Sequence, residues 1–268
     1  MSDPDFVHRY GPWAVIAGAS HGVGAAFAHL LAAYGLNCVL VARRAEPLAE
    51  LKAQLEREYA VEVLAVVQDL ARHDACEQLV AAVGTRHVGL FVYNAGGDPY
   101  ITRFIATPAA DWERLLCLNS LTVMRCSHAF GGAMLERGRG GLLLVGSQAA
   151  LGGVRKLAMY SASKGFALNL GESLWAEWKD QGVDVLNVLI GTVDTPTMRE
   201  AMVKLDIPDA LDMVLPQAEE LALWALQNLA EGPTLIHPQD TLGDSPGQAR
   251  REHVLATSAQ AAVFIGKD

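Results

Sequence analysis

Tyr160 and Lys164, in the run Tyr160-Ser161-Ala162-Ser163-Lys164, stand four residues apart and so share one face of a helix. A phenol with an ordinary pKa of about 10 is a poor acid or base at neutral pH, and a neighbouring ammonium favours its ionised form. The two residue types together can make a general acid and the cation that tunes it. Ser147 precedes Tyr160 by thirteen positions, at the end of an apolar run, where its hydroxyl could hold a substrate oxygen. Ser161-Ala162-Ser163-Lys164 also spells the SxxK of serine acylases, but the chain carries neither SDN nor KTG, the partners that chemistry needs.

A second constellation lies near the start. Gly18-Ala19-Ser20-His21-Gly22-Val23-Gly24 follows an apolar run and opens a stretch of helical period. Glycines allow a tight turn and a close approach to a pyrophosphate, and the free N–H groups at a helix start face that anion. A dinucleotide is the natural ligand, although GxxxGxG is not the best-known spacing. His21 is either a further phosphate contact or an ordinary loop residue. Arg43 and Arg44 follow the next apolar run, at the distance where such folds meet the adenosine ribose. An acid there would bind a 2′-hydroxyl; arginine suits a 2′-phosphate, which favours NADP(H) over NAD(H).

Both constellations need a frame. Apolar runs of strand length over 13–17, 38–41, 63–67, 90–93, 142–145, 183–190 and 234–236 alternate with helical stretches. Their continuous hydrophobicity fits a buried parallel sheet with helices on both faces, an α/β doubly wound Rossmann-type fold of about seven strands. Val23, Phe27, Leu30 and Leu31 stripe a first helix, and Leu48, Leu51 and Leu55 a second. Longer helices are predicted over 111–134, 159–179 and 217–230. No linker divides residues 1–238, so one domain is expected there, with the motifs in 13–236. The tail 239–268 is left open as disordered, exchanged between subunits, or folded over the site.

Composition narrows the classes. With 51% hydrophobic and 19% charged residues, 268 residues can bury a sizeable core. A net charge of −9 argues against nucleic acid as a partner. No apolar run reaches the ~18 residues of a membrane span, and the first residues, Met1-Ser2-Asp3-Pro4-Asp5, lack the order of a secretion signal. The expectation is a soluble, cytoplasmic protein. Cys38, Cys76, Cys117 and Cys126 form no CxxC pair and read as structural thiols, with no metal site.

Taken together, the glycine loop, Asn94-Ala95-Gly96, Asn119, Ser147, and Tyr160 with Lys164 resemble the short-chain dehydrogenase/reductase family, in the family's order. The resemblance spans about residues 13–236 and implies a nicotinamide cofactor and homodimers or homotetramers. Carried over by position, it implies that Gly18, Gly22 and Gly24 line the pyrophosphate, with Ser20 and Val23 in the same loop. Asp69 and Leu70 would contact the adenine, and Asn94, Ala95 and Gly96 would support the adenosine side. Tyr160 would be the general acid, Ser147 the donor to the carbonyl oxygen, Lys164 the tuning cation and ribose ligand, and Asn119 the holder of a water in the proton path. Val193 and Thr195 would meet the nicotinamide amide, although Ile190 stands where the family usually has proline.

The substrate wall is expected in Met198, Met202, Val203, Leu205, Ile207 and Met213, facing Ala149, Leu151, Leu157 and Met159. Such an apolar, adaptable wall suits a lipophilic ketone or secondary alcohol: a steroid, an aromatic carbonyl or a long-chain ketone. The alternative is a 3-oxoacyl chain on an acidic carrier protein, docked by Arg103, Arg125, Arg155 and Lys156. A dinucleotide-binding sensor without turnover is the non-enzyme alternative. The resemblance implies subunit pairing through faces that include Leu115, Leu118, Phe166, Leu170 and Leu174, several of which could equally be core.

Overall fold

A computed structural model describes residues 3–204, 214–237 and 251–252 of the chain. In chain order the elements are α1 (Pro4–Tyr10), β1 (Trp13–Ala17), α2 (Gly22–Tyr34), β2 (Asn37–Ala42), α3 (Ala45–Glu58), β3 (Val63–Val67), α4 (Ala75–Val83) and β4 (Val88–Tyr93). There follow α5 (Ala109–Leu116), a π-turn (Cys117–Leu121), α6 (Thr122–Arg137), β5 (Gly140–Ser147), α7 (Ala158–Trp178), β6 (Val183–Ile190), α8 (Pro196–Lys204), α9 (Ala218–Gln227) and β7 (Thr234–Ile236). The strands form one seven-stranded sheet in the order β3-β2-β1-β4-β5-β6-β7, every neighbouring pair parallel.

Alternation along each strand divides the core. On β1, Ala14 and Ile16 face a layer built with Phe27 and Leu31 of α2, Leu48, Leu51 and Leu55 of α3, and Leu221 and Ala225 of α9. Trp13, Val15 and Ala17 face the other layer, with Leu79 of α4, Val123 and Phe130 of α6, and Trp175 and Trp178 of α7. Because both faces are covered, β1 and β4 are buried along their whole length. This two-sided burial explains why the strands read as unbroken apolar runs.

The order reverses between β1 and β4, the point at which an open parallel sheet leaves a ligand crevice beyond its strand ends. The glycine loop, the 94–97 segment and Ser147 all leave the sheet at that edge.

Two expectations change. The helix expected over 111–134 is α5 and α6 joined through the π-turn, which inserts an extra residue per turn and carries Asn119. Of the residues expected to face a partner subunit, Leu115 is core at 4% exposure, and Leu118, Leu170 and Leu174 pack partly buried against it; Phe166 is exposed at 43%. Ahead of the sheet, Asp3 caps α1 by accepting a hydrogen bond from the Phe6 amide at 3.0 Å. The tail expected over 239–268 lies outside the described residues except for 251–252.

Candidate active site

The glycine loop is fixed from both neighbouring strands. The amides of Gly18 and Ala19 both donate to the Val41 carbonyl, at 2.8 and 3.1 Å, so β2 sets where the loop turns. Asn94, just past β4, donates from Nδ2 to the Gly18 carbonyl at 3.0 Å. Gly24 passes so close that a Cβ there would sit 2.0 Å from the Gly18 oxygen and 2.7 Å from Asn94 Nδ2. Glycine is therefore required at 24 by close packing. The amino end of α2 is left facing the crevice, capped at His21 without a side-chain hydrogen bond. A dinucleotide pyrophosphate fits this arrangement: uncapped amides, a narrow backbone cradle and nearby cations.

Arg43 and Arg44 are exposed after β2. Arg44 Nη2 lies 2.8 Å from His21 Nδ1 and 3.2 Å from Nε2, and His21 Nδ1 is 2.9 Å from Ser20 Oγ. Burial and the Arg44 charge hold His21 below its ordinary pKa, so the imidazole stays neutral and accepts from the guanidinium. Gly18-Ala19-Ser20-His21-Gly22 also spells the G-x-S-x-G of a nucleophile elbow. A nucleophile's base is oriented by a carboxylate, whereas here the hydrogen-bonded partner of the imidazole is the Arg44 cation. Anion binding suits Ser20, His21 and Arg44 better than nucleophilic attack.

Asp69 accepts from the Ala71 amide at 3.0 Å and is paired with Arg114. The Leu70 side chain is buried in the core beneath α6, and its carbonyl accepts from Thr122 at 2.8 Å. Any adenine contact at Leu70 must therefore come from its backbone.

Lys164 is 7% exposed, its ammonium donating to the Val145 carbonyl at 3.2 Å and lying 5.9 Å from the centre of the Tyr160 ring. Burial lowers its pKa from 10.5 to about 8. Burial raises Tyr160, the Ser147 side chain opposes the rise, and the charge of Asp98 adds to it. Ser147 ends β5, and its oxygen also accepts from the Ala149 amide at 3.2 Å. Asn119, 1% exposed, is locked in both directions to Gly97, donating to its carbonyl at 3.1 Å and accepting from its amide at 3.2 Å. Between Asn119, Lys164 and Asn187 lies a cavity of about 10 Å³, the scale of a single water.

Gly96 departs from its expected place. It sits against Asn119 and Lys164, where a Cβ would be 2.8 Å from Asn119 Oδ1 and 2.9 Å from Lys164 Nζ. Val193 is 5% exposed with its side chain in the core, leaving only its backbone for a nicotinamide. Thr195 caps α8, its Oγ1 accepting from the Met198 amide at 3.2 Å, while its methyl approaches Gly22. Ile190 is the last residue of β6, paired in register with Ser147. Met202, expected in the substrate wall, is 3% exposed and packed with Leu215 and Met198. Ala149, Leu157 and Met159 are half-buried, and Leu151 and Val203 are exposed. Leu205, Ile207 and Met213 lie outside the described residues.

Residue-type reasoning missed Asp98 and Gln148. Asp98 lies five residues past the end of β4, and Gln148 opens the short helical turn that follows β5. Asp98 Oδ2 and Gln148 Nε2 are buried without a hydrogen-bond partner. A polar residue at the carboxyl end of a parallel strand was the available signal. The four cysteines are buried free thiols, and among the described residues no cluster of metal ligands occurs and no helix is long and apolar enough to cross a membrane.

Known proteins resemble the chain in sequence and in fold. The chain is 31% identical over 190 residues, 71% of its length and 72% of the relative's, to a 7beta-hydroxysteroid dehydrogenase of Mediterraneibacter gnavus. It is 31% identical over 202 residues, 74% of its length and 65% of the relative's, to a very-long-chain 3-oxoacyl-CoA reductase of Anas platyrhynchos. A solved short-chain dehydrogenase from Sphingobium yanoikuyae in complex with NADPH superposes with a TM-score of 0.78 at 27% identity, covering 94% of this chain and 95% of that one. The profile of the family described as short chain dehydrogenase matches residues 12–205, the stretch that carries the glycine loop, Ser147, Tyr160 and Lys164, and the chain belongs to that family.

Proposed function

We propose that the protein is an NADP(H)-dependent oxidoreductase that interconverts a lipophilic ketone and its secondary alcohol, with Tyr160 as the general acid. The observation that carries this reading is the burial of Lys164 against Tyr160, beside Ser147, at the same sheet edge as the glycine loop. A bound nicotinamide supplies the hydride. Gly18, Gly22 and Gly24 with the amides opening α2 hold the pyrophosphate, Arg43 and Arg44 with Ser20 and His21 hold the 2′-phosphate, and the backbone at Val193 with Thr195 borders the nicotinamide. Asp69 and the Leu70 backbone flank the adenine.

Tyr160 gives its phenolic proton to the carbonyl oxygen as negative charge develops there. Ser147 donates a hydrogen bond to that oxygen, an oriented dipole that needs no reorganisation during reaction. Lys164 opposes the charge left on the phenol and returns a proton to it, and Asn119 faces the one-water cavity from which Lys164 in turn takes a proton. Tyr160, raised by burial and by Asp98, stays protonated at neutral pH, which favours the reductive direction.

The named relatives act on a hydroxysteroid and on a very-long-chain 3-oxoacyl thioester, both of them large and mostly apolar, in line with the half-buried Ala149, Leu157 and Met159. Exposed Arg155 and Lys156 beside Leu157 favour a carrier-bound 3-oxoacyl chain as the second reading. Fluorescence titration of NADPH and NADH into the purified protein, with Arg44→Asp alongside, tests the cofactor assignment. NADPH should bind at least about tenfold more tightly than NADH, and the variant should lose that margin. Equal affinities that the variant leaves unchanged would sink the assignment. Initial rates on a free aromatic ketone and on a 3-oxoacyl thioester then separate the two substrate readings.

A further inference from the structure

His21 and Arg44 meet at the crevice from two elements, the glycine loop that opens α2 and the turn that opens α3. Arg44 Nη2 lies 2.8 Å from His21 Nδ1 and 3.2 Å from Nε2. A guanidinium offers donors only, and so does a doubly protonated imidazole. With one guanidinium nitrogen this close to both ring nitrogens, protonating His21 would set N–H against N–H. The ring is therefore an acceptor in the free protein, with the Ser20 hydroxyl 2.9 Å from the same Nδ1. Burial and the Arg44 charge accordingly hold His21 below its ordinary pKa, while the charge of Glu200 on α8 pulls the other way. Ser20 and His21 are half-buried and Arg43 and Arg44 exposed, so a ligand from solvent reaches the group.

A phosphate changes which form of the ring this group favours. Its oxygens accept from Arg44, Ser20 and an imidazolium at once, so donors that oppose each other in the free protein share one anion. A 2′-hydroxyl carries no charge and gives the ring no such reason to protonate. We propose that His21 is a specificity-determining residue that takes up a proton as the 2′-phosphate of NADPH binds, so that discrimination against NADH sharpens as pH falls from about 8.5 to about 6.5. This rests on the NADP(H) reading above and adds the regulation of that site by pH. The free protein leaves the ring neutral above its lowered pKa, and the bound dianion raises that pKa. Between the two values binding takes up a proton, and affinity tightens by up to about tenfold for each pH unit that is lost.

The full chain is titrated with NADPH and with NADH by nicotinamide fluorescence between about pH 8.5 and about pH 6.5. Calorimetry with NADPH at about pH 7.5 in PIPES and in Tris, whose heats of ionisation differ, counts the protons taken up. The ratio of the two dissociation constants cancels groups that act on the half the cofactors share, Lys164 among them. In the wild type the preference for NADPH should grow about fivefold or more as pH falls across that range, with part of a proton taken up per NADPH bound. The second ionisation of the phosphate, with a pKa of about 6, weakens binding as pH falls and so works against this rise. His21→Gln, which cannot titrate, should take up no proton, and its preference should no longer grow. His21→Arg, charged throughout, should bind NADPH more tightly than the wild type at about pH 8.5, again without uptake. Proton uptake that survives in His21→Gln overturns the proposal, as does a wild-type preference for NADPH that stays flat or shrinks as pH falls. A wild type that binds both cofactors equally at every pH overturns the NADP(H) reading itself, and the role of His21 with it.

Discussion

Burial separates Lys164 from an ordinary surface lysine. Its pKa falls from 10.5 to about 8, a shift worth ~3 kcal/mol between its two protonation states. Between those two values the unfolded chain holds the proton and the folded chain does not, so this group adds stability as pH rises from about 8 towards 10.5. Below about 8 the full penalty of a buried ammonium is present. Lys164→Met should therefore stabilise the cofactor-free protein at pH 7 by about 1 to 3 kcal/mol in urea unfolding, with the gain shrinking towards pH 10. The same titration acts on the reaction, where kcat/KM reports the free enzyme. Reduction should hold steady below about pH 8 and decline above it as Lys164 loses its charge, while Tyr160, raised by burial, remains protonated. A pH profile rising through 8 would contradict that order of ionisation. Gly96 tests the geometry of the same pair. With φ of +156° and a Cβ that would meet Asn119 and Lys164 under 3 Å, Gly96→Ala should cut turnover by about tenfold or more while the fold persists.

At the scale of elements, the glycine loop works because β2 and β4 both grip it. Gly24→Ala drives a methyl into the Gly18 carbonyl and should cost about 2 to 3 kcal/mol in unfolding free energy together with a marked loss of NADPH affinity. Unchanged affinity would mean that the cradle is not where the dinucleotide lies. This loop, the strands and the Tyr160 helix were legible in the sequence because each depends on local pattern: unbroken apolar runs, glycine spacing, a four-residue offset. What was not legible depends on how side chains turn after packing. Val193 and Met202 both lie in the segment expected to line the ligand, yet the register of β6 and the docking of α8 send both side chains inward. Asn119 sits in a helical pattern that gives no sign of the π-turn, whose extra residue shifts the side chains that follow and leaves Asn119 bound to Gly97. Asp98 looked like an ordinary loop acid because only the folded turn shows one of its oxygens in use and the other unpaired.

For the whole molecule, the reversal of strand order between β1 and β4 brings together residues from positions 18 to 195 at one sheet edge, which no segment could assemble alone. Pairing of two copies is a further expectation at this scale. With Leu115 committed to the core, Phe166 on α7, exposed at 43%, is the better candidate for the contact. Sedimentation at micromolar concentration should show a species of at least twice the 28.7 kDa chain mass, reduced to the monomer by Phe166→Glu. A monomer in the wild type would remove pairing from the account. The measurement that bears most directly on the central claim is the turnover of Tyr160→Phe on a lipophilic ketone, with NADPH binding measured on the same sample. Loss of the phenolic proton should lower kcat by about 10² to 10⁴ while leaving the dissociation constant for NADPH within a fewfold of the wild type. A variant that binds NADPH and reduces the ketone as fast as the wild type would show that Tyr160 is not the acid.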